Sequence, residues 1–215
     1  MATVLPMDEL NLLEKNPRYD YQYTDKVIKA LTLRIIRKFQ NAKMRVLRMS
    51  EREIIRFGKE FYADLYKDAF FHFGKIADYQ YHDAGGTGRI TDKWLRKSLR
   101  SYDPVMKRVF ENEADRKASV FIESVISAAD RAEQVDIRMR EWSRFVNQGA
   151  LDVTDQAVMK AFEEDDEDDE SKYVWITKKD ERVCAECESR HGHTFRRKNI
   201  PVKHPNCRCI VRPVR

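Results

Sequence analysis

All four cysteines of the 215-residue chain lie in two short runs, Cys184-Ala-Glu-Cys187 and His204-Pro-Asn-Cys-Arg-Cys209. Two cysteines separated by two residues can direct both thiolates at one ion from a tight turn, which is why this spacing recurs in structural zinc sites. Cysteines confined to one stretch of an otherwise cysteine-free chain are typical of a local metal site rather than of a disulfide framework. The two runs therefore predict a small zinc-stapled module near the C-terminus.

Five residues in these runs are candidate ligands, whereas a tetrahedral zinc site needs four. The spacing assigns two of the ligands directly, Cys184 and Cys187. The other two ligands come from His204, Cys207 and Cys209. Residues two apart in an extended segment share a face, so both late cysteines can reach one ion. Our first choice is a site of all four cysteines, and the alternative uses the histidine with one late cysteine. Unliganded thiols or a disulfide are the competing interpretation.

The residues around the cysteines predict two short strands. Aromatic and β-branched side chains follow one another from Tyr173 to Thr177, and a second apolar run extends from Ile210 to Val214. We expect the two segments to pair within one module over residues 172–215. A module of about 40 residues has too little core to hold itself without a staple, and the ion is predicted to supply it.

The chain before this module has the apolar spacing of long amphipathic helices. Apolar residues recur every three or four positions from Thr24 to Met49 and again from Ile54 to Ile76. Ser50 and Glu53 form a capping-box pair at the start of the second stripe, so we expect two antiparallel helices. Three glycines within residues 82–89 predict that a loop follows the second of these helices.

Further helices are expected in the rest of this body. Thr91 can cap a short helix through Leu99, and Asp103 can cap a long element that continues to about Glu133.

A break is expected near the end of the body. The pattern from Asp136 to Val146 predicts a helix that ends at Gly149, and Asp152 or Thr154 would then cap a last helix. The predicted fold is mainly α, with a long-helix body over residues 24–162 and a small C-terminal β module that carries the zinc knuckle.

Two segments lack a regular pattern. Residues 1–23 mix prolines, tyrosines and scattered charges, which favours a flexible N-terminal arm that orders against a partner. Residues 163–171 contain the unbroken acidic run from Glu163 to Glu170, which repels itself and cannot pack. We therefore expect a solvated linker between the helical body and the module.

The sequence gives no indication of a membrane partner. No stretch approaches the roughly 20 consecutive apolar residues that a membrane-spanning helix needs. The N-terminus also lacks a basic region followed by a hydrophobic one. We expect a soluble protein that is intracellular when made.

Basic residues crowd the module and predict contact with nucleic-acid phosphates. The candidates are Arg196, Arg197, Lys198, Lys203, Arg208 and Arg212. A second basic stretch extends along the first predicted helix, from Lys26 to Arg48. Such patches would bind double-stranded DNA without sequence selectivity and with a steep salt dependence. A solvated charged face, or contact with an acidic protein, is the alternative.

Three stretches of the module also carry a family resemblance. They are Trp175-Ile-Thr-Lys-Lys-Asp-Glu-Arg-Val-Cys184-Ala-Glu-Cys187, Gly192-His-Thr-Phe195 and His204-Pro-Asn-Cys-Arg-Cys209. Together they resemble the C-terminal signature of the phage head morphogenesis family, the Mu F-type minor head proteins. The resemblance covers roughly the last 40 residues, and the body before them resembles the family only in being helical.

The resemblance implies a noncatalytic role in building the phage head. Members of the family are understood to be low-copy procapsid components that associate with the portal and assist assembly or DNA delivery. The implied partners are the portal and other head proteins. A role in DNA delivery adds packaged double-stranded DNA as a candidate partner. The implied locations are the host cytoplasm during assembly and then the virion, in the capsid interior or at the portal vertex.

An enzyme is the main competing hypothesis. His191, His193 and His204 lie beside a cysteine knuckle, as in an HNH-like nuclease. A nuclease needs a base and a separate catalytic metal, but no helix that would carry the further ligand follows the knuckle. A zinc ion with four protein ligands is a closed site, which favours a scaffold over catalysis. We therefore expect no enzymatic activity and no small-molecule substrate.

Overall fold

The computed structural model describes residues 3–15, 22–100, 110–163, 172–177, 183–201, 203–204, 207 and 209–214. These residues form a mainly helical protein with one small sheet, as the sequence predicts. The helices are α1 (Met7–Lys15), α2 (Gln22–Val46), α3 (Glu51–Asp83), α4 (Asp92–Arg100), α5 (Phe110–Ser127), α6 (Arg131–Glu163) and α7 (Ala185–Arg190). The strands are β1 (Thr3–Val4), β2 (Lys172–Ile176), β3 (His193–Arg196) and β4 (Ile210–Val214).

Helices α2 and α3 form the predicted antiparallel pair. The capping box at the start of α3 is present, because the Glu53 carboxylate accepts a hydrogen bond from the Ser50 backbone N–H at 2.8 Å while the Ser50 hydroxyl accepts from the Glu53 N–H. Early residues of α2 contact late residues of α3: Gln80 Nε2 donates to Thr24 Oγ1 at 3.2 Å. The reversed order of partners along the two helices shows their antiparallel arrangement.

Helix α6 is continuous over 33 residues, so the break expected at Gly149 is wrong. A Cβ atom at this glycine would lie 2.9 Å from Cζ of Phe73, which is fully buried on α3. The glycine therefore permits a close approach of two helices rather than ending one. Asp152 and Thr154 accordingly lie inside α6, where Thr154 donates to the carbonyl of Ala150 at 3.0 Å instead of capping a new helix.

The preceding helix is shorter than expected. Helix α5 ends at Ser127 rather than near residue 133, and α6 begins at Arg131. Asp130 accepts a hydrogen bond from the Glu133 backbone N–H at 3.0 Å, which stabilises the start of α6. The expected cap at Asp103 lies outside the described residues.

Large aromatic side chains fill the core between the long helices. Trp142 of α6 and Tyr62 of α3 meet edge to face with ring centroids 5.4 Å apart, and Phe121 of α5 packs on the same tyrosine at 5.6 Å. All three are essentially inaccessible to solvent. The body thus has a contiguous core of its own, and Trp142 belongs to it.

The four strands form one antiparallel sheet in the order β1-β3-β2-β4. The predicted pairing of the two apolar runs is present, with Trp175 of β2 opposite Val211 of β4. The sheet buries both of its faces, since alternate residues of β2 fall into two separate apolar clusters.

The N-terminal segment departs from the expected flexible arm. Residues 3–15 form β1 and α1, and Leu5 and Leu10 are buried against Val174 and Ile176 of β2. The Leu5 N–H donates to the carbonyl of Gly192 at 2.8 Å. The segment is therefore part of the module, and short elements of this kind leave too few apolar positions for a sequence period to reveal them.

The module packs directly on the C-terminal end of α6. Met159 of α6 shares one buried cluster with Trp175, Val211 and three of the cysteines. Glu163, the last residue of α6, forms an ion pair with Arg197 of the module. The remainder of the expected acidic linker, 164–171, lies outside the described residues. The contacts on α6 nevertheless join the module to the body through a shared apolar interface.

Candidate metal centre

The first pair of cysteines is positioned by the short helix α7. Cys184 is the N-cap of α7, and its Sγ accepts a hydrogen bond from the Cys187 backbone N–H at 3.4 Å. The spacing of two intervening residues makes this possible, because the cap and the third helical residue lie on the same side of the first turn. Both sulfur atoms consequently point toward the loop that carries the second run.

Two groups of potential ligands meet at Cys187. The first contains Cys184, Cys187 and His204, and the second contains Cys187, Cys207 and Cys209. Within each group all donor atoms lie within 4.8 Å of one another. The structure therefore brings together all five candidate ligands that the sequence indicates, and Cys187 is shared by both groups.

The distances around Cys187 suit a tetrahedral ion. His204 Nε2 lies 3.2 Å from Cys184 Sγ and 3.1 Å from Cys187 Sγ. Cys187 Sγ lies 3.7 Å from Cys207 Sγ. A tetrahedral site with Zn–S bonds of about 2.3 Å has sulfur–sulfur edges of about 3.8 Å. The Cys187–Cys207 distance matches such an edge, and the thiol and imidazole donors have the chemistry of a site for a borderline-soft divalent ion.

Burial separates the cysteines. Cys187, Cys207 and Cys209 lie in the core of the module, whereas Cys184 is exposed. None of the four forms a disulfide. An ion held here would have its inner side shielded by the apolar cluster and its outer side closed by Cys184 and His204.

Hydrogen bonding and burial move the thiol pKa values in opposite directions. The hydrogen bond from Cys209 lowers the pKa of Cys207 to about 5, and the same bond raises the pKa of Cys209. Burial raises the pKa of Cys187 to about 12. The backbone N–H of Cys187 lowers the pKa of Cys184. Without an ion, negative charge in the buried group is therefore held mainly on the Cys207 sulfur.

A buried ion pair connects the ligand loop to α6. The Lys203 ammonium pairs with the Asp155 carboxylate, and the two side chains are 8% and 4% exposed. Burial opposes the charge on Lys203, but Asp155 and Asp152 together outweigh it and raise the pKa of the lysine. Burial raises the pKa of nearby Asp152 well above its usual range. Lys203 precedes the candidate ligand His204, so this pair holds the loop at the candidate metal centre.

The predicted phosphate-contacting residues do not share one surface. Arg196 and Lys198 are exposed, whereas Arg197 pairs with Glu163. Lys203 and Arg212 are buried, so they depart from the expected role because phosphate cannot reach them in this fold. Arg208 lies outside the described residues.

The remaining histidines of the module serve local structure. His191 follows α7, and its Nδ1 accepts a hydrogen bond from the Thr177 backbone N–H at 3.2 Å. His193 lies in β3 opposite Val4. Neither belongs to the two ligand groups found among the described residues.

Sequence reasoning missed the support that α6 gives to this centre. Asp155 and Met159 hold the ligand loop and cover the buried cysteines. A weak signal was present, since Asp152 and Asp155 interrupt an otherwise helical pattern with two acidic residues. Asp152 was instead predicted to cap a helix, and the sequence does not show that Lys203, 48 residues beyond Asp155, lies opposite that carboxylate.

The fold and the site together define a class of mainly helical protein with a small β module whose Cys/His cluster is positioned to hold a metal ion. Residues 108–212 match the family model described as Phage Mu protein F like protein. This match confirms the resemblance of the C-terminal signature to the phage head morphogenesis family. The match also includes α5 and α6, so it extends well beyond the last 40 residues in which the sequence signature was visible.

No curated protein and no solved structure matches the chain. Within the described part of the chain, none of the helices combines the length and the apolar character needed to cross a membrane.

Proposed function

We propose that this protein is a noncatalytic minor head protein that acts in phage head assembly and associates with the portal. The family match over residues 108–212 carries the proposal. It spans two long helices, the module and the interface between them, so it supports the arrangement as a whole. In this proposal the protein is made in the host cytoplasm and becomes part of the virion, in the capsid interior or at the portal vertex.

The experiment is coexpression of the chain with the portal protein encoded by the same phage, followed by affinity purification through the portal. Recovery of the chain in a defined stoichiometry supports the proposal. Portal rings purified without the chain, at protein concentrations in the micromolar range, contradict it. A major capsid protein coexpressed in place of the portal is the control for nonspecific capture.

We further propose that the module binds a structural zinc ion through Cys184, Cys187, His204 and Cys207. Two observations support this choice: His204 Nε2 contacts the sulfur atoms of Cys184 and Cys187, and Cys207 lies 3.7 Å from Cys187, the ligand shared by both groups. The set corresponds to the histidine alternative rather than to four cysteines. Cys209 then donates a hydrogen bond to the Cys207 thiolate instead of binding the ion. When bound, zinc cross-links α7 to the ligand loop and stabilises the small module.

Two serine variants distinguish the ligand sets. Cys207→Ser is expected to lose the zinc that purifies with the protein, whereas Cys209→Ser is expected to retain one ion per chain. The measurement is metal analysis of the purified full chain with circular dichroism as a check on folding. Loss of zinc in both variants would favour four cysteine ligands, and zinc absent from the unmodified protein would contradict the proposed site.

Direct contact with packaged DNA is a second candidate function. Exposed Arg196 and Lys198 support it, although burial of Lys203 and Arg212 reduces the available charge. Arg196→Glu with Lys198→Glu should weaken binding to duplex DNA, and binding by the unmodified chain should fall steeply with salt. Lys59→Glu, on exposed α3, is the control. Binding that is insensitive to salt would contradict this candidate.

The absence of catalysis is also a proposal, and it has a direct test. Purified chain incubated with supercoiled plasmid and magnesium or manganese should leave the plasmid intact. Metal-dependent nicking that co-elutes with the protein and is lost in His193→Ala would instead support the HNH-like alternative.

A further inference from the structure

Helix α2 has an outer face that no described element covers. Its inner side packs on α3 and α6 through Leu31, Ile35, Phe39 and Val46. The opposite side carries exposed residues at a spacing that returns to the same face of the helix. We define the outer α2 face as Lys26, Lys29, Leu33, Arg37, Met44 and Leu47. At 1.5 Å per residue this face is about 32 Å long.

The apolar members of this face are unusually accessible. Leu33 is 54%, Met44 62% and Leu47 52% exposed. Leu33 and Met44 are 11 residues apart, which returns them to the same side of α2 at a separation of about 16 Å, and Leu47 lies in the turn just after α2 ends at Val46. A single exposed leucine needs no explanation, but these three apolar side chains form a discontinuous strip that a partner helix laid along α2 can cover.

The charge of the face is positive and unneutralised. Lys26, Lys29 and Arg37 are exposed, and none of them forms an ion pair with any described residue. Other cations of α2 do have acidic partners: Lys38 pairs with Asp64 and Lys43 with Asp136, both at 2.6 Å. The carboxylates of Asp64 and Asp136 therefore pair with cations at the sides of α2. The cations of the outer α2 face have no such partner among the described residues.

From this combination we infer that the outer α2 face docks an acidic amphipathic helix of a partner protein. Such a helix would place apolar side chains on the strip and carboxylates beside the three cations. A second copy of this chain would present the same positive charge and be repelled. The inference goes beyond the proposed head-assembly role and depends on neither the metal centre nor the identity of the partner.

Two other anionic surfaces fit the face less well. The sugar–phosphate backbone of DNA has no apolar surface that could cover Leu33 and Met44. Binding of DNA would therefore leave both side chains exposed to water. A membrane-bound helix segregates its apolar residues from its cations. Here Lys26 and Arg37 lie on the same line as Leu33 and Met44, so insertion would bury charge.

The test uses the full chain and three fluorescent synthetic peptides of 22 residues, a length chosen to span a face of about 32 Å. The first has leucines at amphipathic spacing flanked by glutamates. The second replaces every glutamate with lysine, and the third keeps the composition but scrambles the leucine positions. Fluorescence anisotropy should show binding of the first peptide alone. Equal binding of the lysine peptide, or no binding of the glutamate peptide, would overturn the inference.

Variants of the chain locate the binding surface. Arg37→Glu should weaken binding of the glutamate peptide by about tenfold or more, since it replaces attraction with repulsion. Met44→Ser should weaken it several-fold without changing the salt dependence. Lys59→Glu, an exposed charge reversal on α3, should leave it unchanged. Circular dichroism should show unaltered helix content in all three variants.

Duplex DNA and vesicles containing anionic lipid complete the experiment. Neither should show binding that is lost in both Arg37→Glu and Met44→Ser. The inference is wrong if DNA or vesicles bind in a way that both variants abolish while the glutamate peptide fails to bind. The outer α2 face would then be a binding surface for nucleic acid or for a membrane. The portal experiment measures copurification, whereas this experiment measures peptide binding. Failure of one can therefore be distinguished from failure of the other.

Discussion

The backbone of α6 at Gly149 passes so close to the ring of Phe73 that a single methyl group would not fit. A Cβ atom there would lie 2.9 Å from Cζ of a fully buried side chain. Gly74 of α3 offers the opposite case, because the nearest atom to its Cβ would be Cδ2 of Leu95 at an ordinary 3.7 Å. The same residue type is thus required at one helical position and merely tolerated at another.

Two alanine variants should separate these cases. Gly149→Ala is expected to lower the free energy of unfolding by about 1–3 kcal/mol, because Phe73 or the helix backbone must shift. Gly74→Ala is expected to raise it by about 0.5–1 kcal/mol through a smaller loss of backbone entropy on folding. Urea denaturation followed by circular dichroism measures both. Stabilisation by Gly149→Ala would show that the helix approach is looser than the structure indicates.

The thiol pKa values predict how metal binding depends on pH. Cys187, with a pKa of about 12, keeps its proton at neutral pH when no ion is present, so zinc must displace it. Affinity should therefore rise with pH, and each displaced proton should change it about tenfold per pH unit. Calorimetry at pH 7 in buffers of different ionisation enthalpy should detect at least this proton. A heat that is independent of the buffer would contradict the assignment.

Side chains that bind or support the metal were predictable to different degrees. The five candidate ligands are visible as a spacing pattern, because a tight turn and an extended segment limit which cysteines can converge. The sequence left the choice among them open, and the contacts of His204 with Cys184 and Cys187 are the observation on which the proposed set rests. Lys203 looked like one more surface cation, since a sequence does not show that Asp155 lies opposite it in a buried interface.

At the scale of elements, a small polar cluster links three of the long helices. Thr24 of α2 and Thr154 of α6 have their hydroxyl oxygens 2.9 Å apart in the core, and Gln80 of α3 donates to the first of them. Polar groups inside an apolar core favour the one helix register in which they find partners. The cluster therefore contributes to the alignment of α2, α3 and α6.

Removing the central hydroxyl tests this role. Thr24→Val is expected to cost about 1–3 kcal/mol of stability, because the Gln80 amide loses a buried acceptor. Thr32→Val is the comparison, since its bond to Asn147 is only part-buried and water can replace it, for a cost of about 0.5 kcal/mol. Thermal and urea denaturation would measure the difference. Equal costs would mean that the buried cluster has no special role.

The start of α3 was more predictable than the continuation of α6. The capping box at Ser50 and Glu53 uses neighbouring residues, so its sequence signature determines its structure. Continuation of α6 past Gly149 depends instead on packing against α3, which local signals do not include. The pairing of β2 with β4 was predictable because both are apolar and close in a small module. The addition of β1 required a contact over nearly the whole chain.

At the scale of the whole molecule, the Lys203–Asp155 pair joins the metal loop to the helical body. Asp155→Asn is expected to lower stability by about 3–5 kcal/mol, because it leaves the buried ammonium without its counter-charge. Zinc affinity should fall as well, since His204 follows Lys203 directly. Denaturation curves and competition with a chelator measure the two effects.

A double variant controls for the loss of charge itself. Asp155→Leu with Lys203→Met removes both charges and keeps similar volumes, so stability should recover most of the way. Recovery of stability without recovery of zinc affinity would show that the ion pair also positions the loop. Unaltered stability in Asp155→Asn alone would contradict the buried pair.

Among the residues that the structure describes, the first and the last strand, β1 and β4, lie at the two edges of the sheet, and the helical body lies between them in sequence. During synthesis on a ribosome, β1 and α1 emerge long before the strands that cover them exist. Leu5 and Leu10 therefore lack their partners on β2 until more than 160 further residues have been translated. Completion of the module therefore has to follow translation of β2, and chains stalled before β2 would be natural targets for chaperones and proteases.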